Sequence, residues 1–212
     1  GELARLALSE GVEVDLDVVA MQGWSRGMWF DETGLPWVLP SPNMPTLDTA
    51  TAYPGACLIE ATNLSEGRGT TRPFELLGAP WLNGPALAAS LKSRGLSGVG
   101  FRPCFFTPTF QKHAGTLCQG VQIHVSDRER FYSFLTGAVI LQQMRRQDPE
   151  RFAWRAEPYE FVSHIPAIDM LSGSATLRTS IEADEDVRDL QAGWAKDCAE
   201  FEARRAEILL YS

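Results

Sequence analysis

Residues 41–81 read SPNMPTLDTATAYPGACLIEATNLSEGRGTTRPFELLGAPW, and the interpretation of this stretch decides the fold. Polar and charged side chains are interleaved with Gly and Pro around one short apolar run. Gly55-Ala56-Cys57-Leu58-Ile59 reads as a buried strand that delivers Glu60, Thr62 and Asn63 at its carboxyl end. The loop after it, Ser65-Glu66-Gly67-Arg68-Gly69-Thr70-Thr71-Arg72, combines acid, base, hydroxyls and two glycines, and Pro73 closes it. Ligands of open α/β sheets sit beyond the carboxyl ends of strands, on loops of this kind. This stretch is therefore the candidate site.

Upstream, Leu3, Leu6 and Ala7 lie at helical spacing and Gly11 is a C-cap. Val12 to Ala20 alternates, with Val12, Val14, Leu16 and Val18 on one face, as a strand does. A helix followed by a strand is half of a βαβ unit and predicts the end of a preceding α/β domain. Residues 21–43 carry Trp24, Trp29, Phe30 and Trp37 among Gly and Pro. These rings either pack on the core or line a sugar-binding cleft. Asn43, held between Pro42 and Pro45, suits a hydrogen bond to a ligand hydroxyl or acetamido group, and equally suits closing a turn.

Downstream, Asn83 caps a short helix with Pro85 in its first turn, Leu87 and Leu91 on its inner face, and Gly95 at its end. Val99 to Phe106 and Val121 to Val125 read as strands, joined through the polar loop 111–118 that holds Lys112 and His113. Ser126-Asp127-Arg128-Glu129 has the form of a capping box and starts a helix running to about Gln147, stopped by Asp148-Pro149. Ile168 to Ser172 is a short helix ending at Gly173. A final helix from near Asp184 presents Val187, Leu190, Trp194, Phe201 and Ile208 as one packing stripe.

Composition sets the outer limits. The 212 residues are 44% hydrophobic and 22% charged, ordinary globular material, and the net charge is −8. Such a chain repels phosphate backbones, which argues against nucleic acid as a partner. No apolar run reaches membrane-span length, which argues against a membrane. Cys57, Cys104, Cys118 and Cys198 show no CxxC pair, so free thiols are expected. His113, Cys118 and His124 match no zinc spacing, and neither a metal nor another cofactor is expected.

Glu60 and Glu66 are the acids of the candidate site, and paired carboxylates are what glycoside hydrolysis requires. Six residues in extended form would separate them by about 20 Å at about 3.3 Å per residue. Only a chain that folds back brings them to the roughly 5–9.5 Å that such pairs need. The alternative is structural: Glu60 in an ion pair with Arg68 or Arg72, and Glu66 closing a turn. Gly67 to Thr71 resembles an anion cradle without being a P-loop or a dinucleotide fingerprint. On spacing alone, the chain is an α/β domain with a polar loop fit for a sugar or an anion.

The whole of SPNMPTLDTATAYPGACLIEATNLSEGRGTTRPFELLGAPWL, with KHAGTLCQGVQIHVSDRERF and PYEFVSHIPAIDMLSGS, resembles a bacterial family of exo-acting β-N-acetylmuramidases of peptidoglycan turnover, long known as a domain of unknown function. The resemblance runs from the first residues to about Ser174. It implies a hydrolase that removes N-acetylmuramic acid from the non-reducing end of wall fragments. It also implies a Rossmann-like amino-terminal domain and a smaller carboxyl-terminal α/β domain, with the site in the cleft between them. On that basis residues 1–40 are the tail of the first domain and 41–212 the second, and most of the first domain is a missing partner. The chain's start without Met or leader agrees with a longer protein.

Family members are often exported, which implies a periplasmic or extracellular location, with the cytoplasm left open. The partner implied is a muramyl sugar. Its lactyl carboxylate needs a cation, for which Arg68, Arg72 and then Lys112 are candidates. Its hydroxyl and acetamido groups need Asn43, Asn63, Thr70 and Thr71. Glu66, in the Gly-rich loop, is placed nearer the ligand than Glu60. Two other classes remain: a non-catalytic wall-sugar-binding module, and a phosphate- or nucleotide-binding α/β protein.

Overall fold

The computed structural model describes residues 1–211 and has a mixed α/β fold. The chain divides into two compact units. The larger spans Val38–Leu190, and the smaller joins Gly1–Trp37 to the described residues from Gln191 onward.

In the larger unit, helix α2 (Leu47–Ala56) starts at Thr46, whose hydroxyl accepts from the Thr49 amide at 3.2 Å. It runs directly into a 3-10 turn at Cys57–Ala61. The buried strand expected at Gly55–Ile59 is therefore helical. A short apolar run carries no period of its own, and the deciding contact is tertiary. Gly55 lies where α2 crosses helix α4 (Ser133–Gln147), against Gly137, and a methyl group on either glycine would enter the backbone of the other helix. The Ser133 hydroxyl locks this crossing: it accepts from the Gly55 amide at 2.9 Å and donates to the Ala52 carbonyl at 3.0 Å.

The sheet has three antiparallel strands in the order β1-β3-β2: β1 (Leu76–Ala79), β2 (Val99–Phe106) and β3 (Cys118–Val125). Gly78 faces Gly120 in the β1–β3 register, and Cys104 faces Gly120 in the β2–β3 register. Helix α3 (Gly84–Ser93) packs on β2 and β3 and is capped by Asn83, whose side chain accepts from the Ala86 amide at 2.9 Å. Leu58, Ile59, Leu64, Leu77, Leu87, Leu91, Ile140 and Leu141 form the fully buried centre. Helices α5 (Ala167–Ser172) and α6 (Thr176–Glu182) complete this unit. Gly173 ends α5 in a left-handed conformation, as its sequence predicts.

Helix α4 begins six residues later than the Ser126 capping box predicts. The Gly98 carbonyl takes the Ser126 and Asp127 amides, and Asp127 then caps the Glu129 and Arg130 amides in a turn. That local turn outcompetes the helix start.

In the smaller unit, helix α1 (Glu2–Ser9) forms as expected, but the alternating segment Val12–Ala20 pairs with no strand among the described residues and is mostly exposed. Alternation alone cannot hold a strand without a neighbour to accept its hydrogen bonds. Trp24 meets Tyr211 edge-on at 4.8 Å, and Phe30 meets Trp37 at 5.0 Å. Helix α7 (Gln191–Arg205) also differs from expectation, because none of its residues is buried. The preceding turn at Val187–Leu190, fixed by Asp186 to the Arg188 amide and guanidinium, interrupts the stripe, and only Val187 enters the core. No helix among the described residues is long and apolar enough to cross a membrane.

The α2–α4 crossing predicts that Gly137→Ala destabilises the larger unit by about 1–3 kcal/mol, the usual cost of overpacking. Urea unfolding of wild type and variant measures this; equal midpoints would show that the two helices do not approach so closely.

Candidate active site

The 3-10 turn at Cys57–Ala61 carries Glu60, and the segment after it turns back at once. Ser65 pairs with Gly78 through two main-chain hydrogen bonds of 2.8 and 3.0 Å, and the Phe74 amide returns to the Glu66 carbonyl at 2.6 Å. The loop is thereby pinned along β1. Gly67 and Gly69 both have left-handed φ, and a Cβ at either would strike main-chain atoms, of Leu76 and of Phe110 respectively. These glycines allow close packing. The amides of Gly67, Thr70 and Arg72 are bonded to Ser65, Gly67 and Thr70 within the loop, so they form no open anion cradle.

This fold-back brings Glu60 and Glu66 onto one guanidinium. Arg68 Nη2 lies 2.9 Å from Glu60 Oε1, and its Nε lies 3.2 Å from Glu66 Oε1. A guanidinium is only a few ångströms across, so the two carboxylates approach within about 8 Å. That bound is compatible with glycosidase carboxylate pairs, which lie up to about 9.5 Å apart. Both acids are buried, Glu60 at 9% and Glu66 at 3% exposure. Glu66 is therefore part of a tightly fixed loop rather than a mobile one.

Two further groups complete the cluster. Lys112 Nζ sits 3.0 Å from Glu66 Oε2, an ion pair whose angle falls outside hydrogen-bond geometry. The same ammonium donates to the carbonyls of Ile59, Glu60 and Leu64 at 3.1, 3.4 and 3.0 Å. Burial pulls the Lys112 pKa down, and the charge of Glu66 opposes that pull. The Tyr159 hydroxyl donates to Glu60 Oε2 at 3.0 Å. Burial, then the charge of Glu60, pushes the phenol far above its ordinary value, so it stays protonated as a donor. A cavity of about 280 Å³ opens on this cluster, lined by Glu60, Glu66, Arg68, Lys112, Arg155 and Tyr159 with Gln111 and Glu160.

The remaining sequence candidates are dispersed. Asn63 borders an adjoining cavity of about 470 Å³, and its amide is engaged with the Arg151 carbonyl at 2.7 Å and the Ala153 amide at 3.0 Å. Arg72 faces the buried Glu75 at 3.5 Å, and Glu75 also accepts from Thr49 at 2.7 Å. Thr70 closes its own turn on the Gly67 carbonyl, Thr71 is exposed, and neither lines the cavity. Asn43 sits in a turn where its amide meets the Ser41 hydroxyl, also outside the cavity lining. Tyr159 and Arg155 were missed by local reading, because each reaches the site from more than 90 residues downstream of Glu60.

His113 and Cys118 do not pair as base and nucleophile. His113 Nε2 is 2.7 Å from the Asn63 carbonyl, and its ring packs edge-on against Trp81. Burial pushes the Cys118 thiol up to about 11.

Comparison with known proteins fixes the family. The model of the exo-beta-N-acetylmuramidase NamZ C-terminal family matches residues 51–211, and that of the NamZ N-terminal family matches residues 1–48. The chain belongs to this family. It is 45% identical over 212 residues to the peptidoglycan beta-N-acetylmuramidase NamZ of Bacillus subtilis (strain 168), covering 100% of this chain and 49% of that protein. The chain thus spans about half the length of the curated relative it matches. Two crystal structures of DUF1343 family proteins from Bacteroides fragilis are similar, with TM-scores of 0.87 and 0.74 at 29% and 26% identity. Each similarity covers 100% of this chain and 55% of the other. The DUF1343 and NamZ families are the same family.

Two outcomes follow from the charge and burial pattern. Lys112→Met should cost about 3 kcal/mol, because it strips a buried carboxylate of one counter-charge; urea unfolding measures it, and an unchanged midpoint would rule out the Lys112–Glu66 pair. A thiol reagent at pH 8 should label Cys198 rapidly, since it is the exposed cysteine. Burial holds Cys57, Cys104 and Cys118 near 11, so they should react only after unfolding, and rapid native labelling of two or more thiols would contradict this.

Proposed function

We propose that this chain is the carboxyl-terminal, site-bearing half of a glycoside hydrolase that releases N-acetylmuramic acid from the non-reducing end of peptidoglycan fragments. In this reading residues 1–40 are the end of a Rossmann-like domain and the remainder carries Glu60 and Glu66. One observation carries the assignment: two buried carboxylates held on a single guanidinium, beside a polar cavity, in a member of a muramidase family. Cleavage of a glycosidic bond passes through an oxocarbenium-like transition state, which needs negative charge beside the anomeric carbon and a proton for the leaving oxygen.

Glu66, fixed between Arg68 and Lys112, suits the first task, because its charge cannot swing away. Glu60 shares Arg68 and accepts from Tyr159, which orients its second oxygen at the cavity wall. Arg68 and Lys112 hold the pair in register, which is worth more in a partly dry site than in water. Acids from the preceding domain can share the protonation step, and the cleft would close over this wall. With a wall sugar as substrate, the full-length enzyme would work in the periplasm or outside the cell, with the cytoplasm left open as a site of wall-fragment recycling.

The test is release of free N-acetylmuramic acid from a chromogenic β-N-acetylmuramide by the full-length protein. Glu66→Gln should lower kcat by at least about 100-fold, the usual scale for loss of an acid–base or charge-stabilising group, in a protein that still folds but melts at a lower temperature, because Lys112 and Arg68 lose a buried counter-charge. Near-normal turnover of a folded Glu66→Gln protein would remove Glu66 from the mechanism. A wild-type protein that binds the sugar and releases no product would be a binding module instead.

A further inference from the structure

Arg155 stands apart from the other cations at the site. Arg68 is engaged by Glu60 and Glu66, and Lys112 by Glu66 and three carbonyls. Arg72 faces Glu75, and Arg178 grips Asp169 with two bonds of 2.8 and 2.9 Å. Arg155 makes no ion pair among the described residues. Its Nη2 donates to the Pro158 carbonyl at 3.1 Å, and its guanidinium lies 5.5 Å from the Tyr159 ring centroid. Its Nε is buried and has no hydrogen-bond partner among the described residues. A charged guanidinium that has one main-chain acceptor and a buried N–H without a partner is under-bonded, which favours a further acceptor in the cavities that Arg155 lines.

The position of this donor is specific. Arg155 borders three adjoining cavities: the 280 Å³ cavity on the carboxylate pair, the 470 Å³ cavity beside Asn63 and Lys112, and a 450 Å³ cavity lined by Trp154, His164 and Arg178. Its backbone is held firmly. The Arg155 amide donates to the Ala61 carbonyl at 2.8 Å, one residue from Glu60, and Trp154 bridges Thr62 in antiparallel fashion. Asn63 grips the same segment from its side chain. Main-chain pairing therefore fixes the Arg155 backbone beside the chain that carries the paired acids. Charge is consistent with geometry: Glu60, Glu66, Arg68 and Lys112 are engaged with one another, and Glu160, which also lines the cavity, forms no ion pair with Arg155 among the described residues, so the Arg155 guanidinium can take a ligand anion.

We propose that Arg155 binds the lactyl carboxylate of the muramyl sugar and so distinguishes it from N-acetylglucosamine, which lacks that group. This rests on the muramidase reading above and replaces Arg68, Arg72 and Lys112 as the anion-recognising group, since each of those already faces a carboxylate of the chain. Arg donates two parallel hydrogen bonds to a carboxylate, and a fixed donor of this kind rejects analogues that offer no acceptor. A peptide carboxylate on a wall fragment has the same chemistry, and the ligands below separate the two sources because neither carries peptide.

Calorimetric titration of the full-length protein with N-acetylmuramic acid, and with its lactyl carboxamide, tests this directly. The amide keeps the size of the group and removes its charge. Wild type should bind the acid about 100-fold more tightly than the amide, in line with a hydrogen bond to a charged group at about 1.5–3 kcal/mol. Arg155→Met should abolish that preference without lowering the melting temperature, and Arg155→Lys should retain part of it. A folded Arg155→Met protein that keeps the preference overturns the proposal. So does equal weakening of both ligands, or a wild type that shows no preference, as expected if Arg155 serves a peptide carboxylate. Hydrolysis of the chromogenic muramide by wild type, assayed alongside, separates the cases: turnover without the acid preference refutes Arg155 alone, whereas absence of both refutes the muramidase reading as well.

Discussion

Two carboxylates buried side by side repel each other strongly, and the larger unit is arranged around that repulsion. At short range in a low-dielectric setting it amounts to several kcal/mol, so cations must lie between and beside the acids. Arg68 lies between Glu60 and Glu66, and Lys112 sits on the far side of Glu66. Supplying these cations, and the Tyr159 hydroxyl that Glu60 also accepts from, constrains three separate pieces of chain. The 65–75 loop must fold back along β1, which requires left-handed glycines at Gly67 and Gly69. The β2–β3 connection must deliver Lys112, which it does with the flanking Gln111 and His113 both at positive φ. Non-glycine residues persist there only where surrounding contacts over-determine them. The third piece is the tight hairpin at Tyr159–Val162, whose two central residues, Glu160 and Phe161, also have positive φ and so match a primed turn.

The parts legible in sequence were those with local causes. The Asn83 cap, the Gly173 stop, the strands β2 and β3 and the clustering of Glu60, Glu66 and Arg68 all depend on residues close together in the chain. The errors share one origin, which is that hydrogen-bond and packing partners, present or absent, override the local pattern. Gly55 to Ile59 is helical because Gly137, some 80 residues away, needs a close approach that a strand there would not give. Val12 to Ala20 has the right alternation and no partner strand among the described residues. The Ser126 box loses to Gly98 and Asp127.

At the site, the acids and their nearest cations could be named in advance, but the distribution of the cations could not. Arg72 and Arg68 look equivalent in GRGTTR, and only the burial of Glu75 under Thr49 separates them. Asn63 looked like a ligand donor because of its type and place. Its amide instead joins the chain of the acids to residues 151–153, and so orders the neighbouring Arg155. A residue that builds the wall and one that touches the ligand carry the same letter code.

The setting of Lys112 resembles that of a monovalent ion in a cage of carbonyl oxygens, except that the ion is tethered to the chain. Its carbonyl partners lie 53, 52 and 48 positions earlier in sequence. Local collapse of residues 57–66 would therefore bury two acids with only Arg68 for compensation. Neutrality waits for the hairpin formed by β2 and β3 to dock. Closing loops of that length is slow relative to local helix formation, since the entropy is lost before the contact is gained. Completion of the site then falls late in the assembly of the fold, because a fragment that omits the hairpin holds the two acids with Arg68 alone and lacks Lys112.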